Sequence, residues 1–511
     1  MEAGSPVSIL NDALLLRKSF MPCHFRAACL LLAGLVVPGA WADDDDTLFL
    51  QEQTRRSIEQ KTQAEEVLAA PPGTLMYEGR RYQVPSTLEA LTPAIYVAIN
   101  TQQWSQLPEF IERYRALSGH RPGLANMAES LYARFQGTYP QALRLMELAS
   151  EQEPLDTRIQ LELARLWFED YQEKRAGKGF ERVLAMGLPE QARMLVQQYR
   201  QALDIRADWH GSAALGWGYN DNINQGNGYQ RCASWIGSHC YIRQKMPEAI
   251  DSELVNYELS LQRRFNLVGN HNLQLRPLSY GNYYSETNPS TTSRVRDYSN
   301  NLAILQAGYQ YLNARDSVTL TPYVEHYYRN RASDYLAHGL QAEWRRSLSR
   351  RWQVGTSLDA KRYEYTSKGL LTGADYKQYQ WGLSASFSAS AGTSLYGGVN
   401  LTRKKYEVDQ ASSREWAVRG GVYHAFAGSA GLFVNALGIY RESRNDAYDF
   451  FLGGRRHDKQ QVYILSVGAN GWQVAGLTPE LRLRHSINHS NIDWAFGFRQ
   501  TEASLMLRRN F

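Results

Sequence analysis

His489, Asn491 and Asp493 stand at alternate positions near the end of the chain, and their types are those of an acid–base constellation. A histidine base needs a nucleophile within hydrogen-bond reach and a third group to orient it. Serines are plentiful, yet the trio falls in a long loop with no nucleophile motif beside it, and the chain has no HExxH, phosphate-binding loop or dinucleotide fingerprint. No enzymatic activity and no cofactor is expected. Cys232 and Cys240 offer different chemistry. Both lie in one polar loop, and in an oxidising compartment a disulfide is their expected state. A structural zinc site wants four ligands, and no second Cys or His pair stands at a suitable spacing.

A third set of reactive types follows a strict alternation. Glu480, Arg482 and Arg484 alternate with Leu481, Leu483 and His485, and Asp359 and Lys361 alternate with Leu358, Ala360 and Arg362. A period of two places successive side chains on opposite faces of a strand, so charge on one face implies a wet interior and apolar residues on the other imply lipid.

The elements carrying these residues are short alternating segments over the last 300 or so positions, in the manner of a transmembrane β-barrel. From Tyr379 to Ala389, Tyr379, Trp381, Leu383, Ala385 and Phe387 alternate with Gln380, Gly382, Ser384, Ser386 and Ser388. In a bilayer only a closed barrel satisfies every strand's backbone groups while showing lipid an apolar face. Trp209, Gly211, Ala213, Leu215, Trp217 and Tyr219 form one face of the first strand, and Phe511 ends the last. About 14 strands are expected, an even number as single-chain bacterial barrels show. Long connections alternate with short ones. Short turns belong on the periplasmic side, which puts the C-terminus and everything before the first strand there too.

Upstream of the barrel, Arg26 precedes an apolar stretch from Ala27 to Val37, then Pro38, Gly39 and the triplet Ala40, Trp41, Ala42. This reads as a signal peptide cleaved after Ala42, with Met21 a possible initiator and Cys23 and Cys29 inside the removed segment but in no lipobox. The acidic run Asp43 to Asp46 reads as a solvated terminus. The region from 43 to 88 reads as a tether, helix-compatible from Leu48 to Ala70 and with a small hairpin between Leu75 and Val84.

Residues 89–205 show apolar spacing of three and four and resemble tetratricopeptide repeats. Gly137, Tyr139, Ala142, Ala149 and Pro154 fit one repeat, and Ala164, Ala176 and Phe180 fit the next, with Ala142 to Ala176 one period. The window from Trp104 to Leu117 is helical but conforms poorly. The expected fold is therefore α+β and multidomain: an N-terminal extension and signal peptide (1–42), the tether (43–88), a periplasmic all-α tetratricopeptide-like domain (89–205) and an outer-membrane antiparallel β-barrel (206–511). A formal charge of +5 is modest for this length and does not argue for nucleic acid.

At the end of the first barrel strand stands the string Gly218, Tyr219, Asn220, Asp221, Asn222, Ile223, Asn224. Together with the signal peptide, the helical repeats and the strand series in that order, it resembles the surface lipoprotein assembly modulator family over most of the mature chain. The resemblance implies an outer-membrane translocon for lipoproteins, with the helical domain engaging the client and the barrel passing it to the cell surface. It also implies surface lipoprotein clients, outer-membrane lipid, periplasmic chaperones and the barrel assembly machinery as partners. Tyr132, Phe135 and Tyr139 are candidate client contacts. The seam between the first and last strands, with Ser212, Leu215, Trp217, Leu505, Leu507 and Phe511, is the candidate lateral opening, weakened by Gly211, Gly216 and Gly218. Two other readings remain open on the residues alone: a repeat-plus-barrel polysaccharide exporter, which a lumen of one charge sign would favour, and a porin or receptor.

Overall fold

The computed structural model describes residues 74–77, 80–285, 294–428, 430–450 and 452–511. The predicted signal peptide, the acidic run and the helix-compatible stretch from Leu48 to Ala70 lie outside them. The hairpin expected between Leu75 and Val84 forms from β1 (Thr74–Tyr77) and β2 (Arg80–Gln83).

Seven helices follow: α1 (Leu88–Asn100), α2 (Leu107–Arg115), α3 (Pro122–Phe135), α4 (Tyr139–Gln152), α5 (Thr157–Glu169), α6 (Glu173–Ala185) and α7 (Glu190–Ala207). Their starts are written locally. Thr87 caps α1 through the Ala90 amide, and the Asp156 carboxylate accepts from the Arg158 and Ile159 amides at the head of α5. Proline occupies the first turn of α2, α3 and α4, where its missing N–H costs nothing. Ala142, Ala149, Ala164 and Ala176 are fully buried, so paired helices approach closely, while Phe180 fills the space between α5, α6 and α7 beside Phe168 and Tyr199.

The barrel comprises β3 (His210–Asn220), β6 (Ser252–Val268), β7 (His271–Tyr284), β8 (Asn300–Leu312), β9 (Asp316–Arg329), β10 (Ala332–Ser347), β11 (Trp352–Tyr365), β12 (Tyr376–Ser390), β13 (Thr393–Tyr406), β14 (Ser413–Ala425), β15 (Leu432–Asn445), β16 (His457–Ala469), β17 (Thr478–Ser490) and β18 (Phe498–Asn510). These 14 strands form one closed antiparallel sheet in which β18 pairs with β3. The first long connection, expected to be a plain polar loop, instead carries a hairpin of β4 (Gln230–Ile236) and β5 (His239–Lys245), bridged by a Cys232–Cys240 disulfide.

Side chains alternate as the pattern requires. Along β3, Leu215 and Trp217 are exposed toward lipid, whereas Ser212, Ala214, Gly216 and Asn220 turn to the buried interior. Glu480, Arg482 and Arg484 are buried in the interior, as the alternation along β17 demands. Opposite charges meet in the lumen: Lys361 pairs with Glu325 at 2.7 Å, and Arg441 with Glu415 at 3.1 Å. Toward the long-loop end the interior becomes aromatic, with Tyr363 stacked on Tyr376 at 4.1 Å and Tyr376 on Tyr406 at 4.5 Å.

Candidate functional site: the closing seam

The ladder of β18 on β3 runs from Glu502 opposite Asn220 to Asn510 opposite Ser212. Leu505 faces Trp217 and Leu507 faces Leu215 on the lipid side, and Phe511 exchanges backbone hydrogen bonds with Gly211 at 2.8 and 3.0 Å. Five of the six seam residues singled out in the sequence therefore lie on these two strands, with Ser212 alone turned to the lumen, and Phe511 directly follows β18.

On the lumen side β3 is lined by small residues, and its neighbours reach over it. Ala214 is paired with Arg508 on one side and Glu258 on the other, and Arg508 Nη2 lies 2.8 Å from Glu258 Oε2 across it. Arg508 Nε also binds Glu480 at 3.0 Å, and Arg482 bridges Glu480 and Glu258, closing a four-membered ion network. One step further, Asn256 Nδ2 donates to Ser504 Oγ at 3.1 Å over Gly216 and Gly218. A Cβ at Gly216 would overlap Asn256 Oδ1 and Met506 Sδ. These glycines thus make room for side chains that cross the strand; the weakness expected of them is offset by bonds that bypass β3 altogether. The network's links across β3 are invisible to sequence because Glu258 stands 224 and 250 positions from Arg482 and Arg508.

At the opposite end the seam is held by the Asn-rich string. Asn220 Nδ2 donates to Glu502 at 3.0 Å, and the Asp221 carboxylate accepts from the Thr501 amide at 2.6 Å. The Asn222 side chain accepts from the Gly226 amide at 2.8 Å and donates to the Arg499 carbonyl at 2.7 Å, while Gln500 donates to the Asn222 carbonyl at 2.8 Å. Asn224 accepts from the Ile250 amide and donates to the Glu248 carbonyl. Ile223 is buried against Ile250 and Leu254, and Tyr219 donates to Asp251 at 2.8 Å. The string is a clasp joining the first strand to the last, Asn222 and Asn224 each offering both a donor and an acceptor to backbone groups that no ladder satisfies.

Above the clasp, Asn227 donates to the carbonyls of Asp493, Trp494 and Gly497, and the Arg231 guanidinium lies 3.4 Å from the Trp494 ring centroid. A luminal cavity of about 740 Å³ lies beneath these loops, lined by Tyr376, Tyr406, Arg441, Asp458 and Asn488 among others. His489, Asn491 and Asp493 do not converge. Asn491 holds loop backbone through Arg455 and His457, and Asp493 opens the short helix α8 (Asp493–Phe496). Among the described residues no His, Cys, Asp and Glu cluster could hold a metal.

At the short-turn end the helical domain is bound to the barrel. The Asp170 carboxylate, at the α5–α6 corner, accepts from the Ala314 amide at 3.1 Å and from Asn270 at 3.2 Å. Lys174 donates to the Leu267 carbonyl at 2.8 Å, and Glu173 pairs with Arg264. Of the three candidate client contacts, Phe135 is exposed and stacks on Trp104 at 5.2 Å. Tyr132 and Tyr139 pack partly into the core. Tyr139 also donates to Glu169 at 3.4 Å; burial, with Glu169 beside it, raises its phenol above the ordinary value and keeps it a donor.

With both parts in view, the family match is decisive: the description "Surface lipoprotein assembly modifier" covers residues 209–511, and "Surface lipoprotein assembly modifier, N-terminal TPR repeats" covers residues 80–180. The chain belongs to the surface lipoprotein assembly modifier family. Its repeat region thus includes the window from Trp104 to Leu117, where the motif is weak. Among similar proteins, the hemophilin secretion modulator of Acinetobacter baumannii is 26% identical, over 94% of this chain and 99% of that protein. Surface lipoprotein assembly modifier 1 of Neisseria meningitidis serogroup B is 23% identical, over 93% and 94%. A solved barrel, the outer membrane channel DcaP of Acinetobacter baumannii, overlaps at TM-score 0.34 and 11% identity, covering 60% of this chain and 96% of that one. As a surface lipoprotein assembly modifier, the protein resides in the outer membrane.

Proposed function

We propose that the protein is an outer-membrane translocon that delivers lipoproteins to the cell surface, the helical domain engaging the client and the barrel passing it across. The observation that carries this reading is the attachment of a repeat domain of this family, through Asp170, Glu173 and Lys174, to the periplasmic turns of a closed barrel. A binding module fixed there raises the client's concentration at the barrel mouth. Phe135 is the client contact of choice among the three aromatics, because it alone is exposed. The seam between β3 and β18 is the lateral route, since a lipid-bearing client must leave the barrel wall sideways to keep its acyl chains in the bilayer. Periplasmic chaperones would supply the client unfolded, and the barrel assembly machinery would insert the barrel itself.

Interior ion pairs of both signs speak against the polysaccharide exporter, and a docked repeat domain has no purpose in a passive porin. A second reading concerns the client alone. The A. baumannii relative is named for secretion, which favours a released protein client in place of a lipid-anchored one.

Protease accessibility of a candidate lipoprotein on intact cells tests the proposal, with the full-length protein, without it, and with residues 43–205 removed. Exposure only with the full-length form supports it, and client recovered from the medium supports the second reading. Equal exposure in all three forms contradicts both.

A further inference from the structure

The lipid-facing wall from β12 to β16 carries a row of like charges. Its outward row runs Tyr379, Arg403, Arg414, Arg444, His457, each directly opposite the next. Three guanidinium side chains therefore stand in register on adjacent strands, an arrangement in which like charges repel. Asp446 takes part of this charge, accepting from Arg403 Nη1 at 2.8 Å and lying 3.6 Å from Arg414 Nε, and Glu442 pairs with Arg444 at 2.7 Å. Arg455, from the following loop, lines the same cavity as the other three. With Asp409 acting on Arg403 as well, four arginines share three carboxylates on this face, and Arg414 keeps 79% of its side chain exposed.

All three in-register arginines sit at the long-loop ends of their strands, which in an outer-membrane barrel is the outer-leaflet side. The next outward row toward the periplasm is apolar from β11 to β14, with Leu358, Trp381, Leu401 and Trp416 opposite one another in turn, and it ends at Glu442 on β15. Together the two rows line a concavity of about 1040 Å³. Arginine near the interface is tolerated on a barrel's lipid face, but tolerance does not explain three side by side above an apolar groove. Guanidinium groups bind phosphate oxygens in paired, charge-assisted hydrogen bonds.

We propose that this wall binds a phosphorylated lipid of the outer leaflet, its phosphate groups on Arg403, Arg414 and Arg444 and its acyl chains along Trp381, Leu401 and Trp416. The bound lipid would neutralise the arginine row and fix the depth of this side of the barrel. The inference rests on the outer-membrane placement and is independent of any client.

Binding to the purified full-length protein in detergent tests it, with bisphosphorylated lipid A, the same lipid without phosphates, and inorganic phosphate as probes. Native mass spectrometry should show the phosphorylated lipid retained by the wild type. Affinity should fall about tenfold for Arg414→Gln and further for the triple variant Arg403→Gln, Arg414→Gln, Arg444→Gln. Heat-modifiable gel mobility verifies that each barrel is folded, and the single variant, at an exposed position, keeps the test valid if the triple variant misfolds. Trp381→Ala should weaken lipid binding while leaving the arginines in place. Equal retention of the dephosphorylated lipid, unchanged binding by folded Arg414→Gln, or displacement of the lipid by millimolar inorganic phosphate would overturn the proposal.

Discussion

Arg508 on the last strand and Glu258 on the second barrel strand meet at 2.8 Å across Ala214 of the first, so the strand that closes the barrel is bridged by its two neighbours. Both side chains are turned to the interior and belong to a network with Glu480 and Arg482. Opening this seam therefore requires more than parting one ladder: the ion network must separate too.

Removing one member leaves buried charge unmatched, at a cost of about 3–5 kcal/mol. Arg508→Met should lower the temperature at which the folded barrel loses its compact gel mobility. Removing Arg508 and Glu258 together leaves Glu480 and Arg482 to pair with each other, so the double variant should lose less than the two single losses added. Strict additivity would mean that the four residues do not act as one unit.

Asn222→Ala removes bonds to the Gly226 backbone and to the Arg499 carbonyl. Each buried group left without a partner costs about 1–3 kcal/mol. The expected effect is local: faster hydrogen exchange at residues 221–226 and 499–501, with the centre of the barrel protected as before. Exchange that rises evenly around the barrel would show that the clasp does not act on the seam.

How legible this was differs between the parts. Strand alternation marked the barrel and its outward faces because lipid imposes a period of two on every strand, and residues such as Trp217, Trp381 and Leu505 declare it. The Cys232–Cys240 pair could be read because no other cysteine follows Cys29 in the sequence. Strand positions of Leu507 and Leu215 followed from the same alternation. The luminal network could not be read, since charge on an inward face reports only water, and which arginine meets which glutamate depends on barrel shear. The role of Gly216 was missed for the same reason: a glycine's neighbours across the sheet are absent from its sequence window.

The Asp170 carboxylate ties the α5–α6 corner to Asn270 and the Ala314 amide of the barrel's short turns, so Asp170→Ala should loosen the domain without unfolding it. Distance measurements between labels on α5 and on the β8–β9 turn should broaden, while heat-modifiable mobility stays as in the wild type. A narrow, unchanged distance distribution would place the attachment elsewhere.

Replacing Cys232 and Cys240 together by serine should affect the β4–β5 hairpin alone, since a disulfide closing so short a loop constrains only that loop, by about 2–3 kcal/mol. Limited proteolysis should nick residues 230–245 sooner, with barrel mobility unaltered. A destabilised barrel would contradict this assignment.

The most direct test of passage through the closing seam is a reversible lock. Leu215 and Leu507 face each other across it on the lipid side, so Leu215→Cys with Leu507→Cys can join β3 to β18. Client exposure to protease on intact cells would be measured with the pair oxidised and again after reduction. Lateral passage through the seam requires loss of delivery in the oxidised barrel and recovery on reduction; full delivery through a barrel shown to be folded and cross-linked would rule it out.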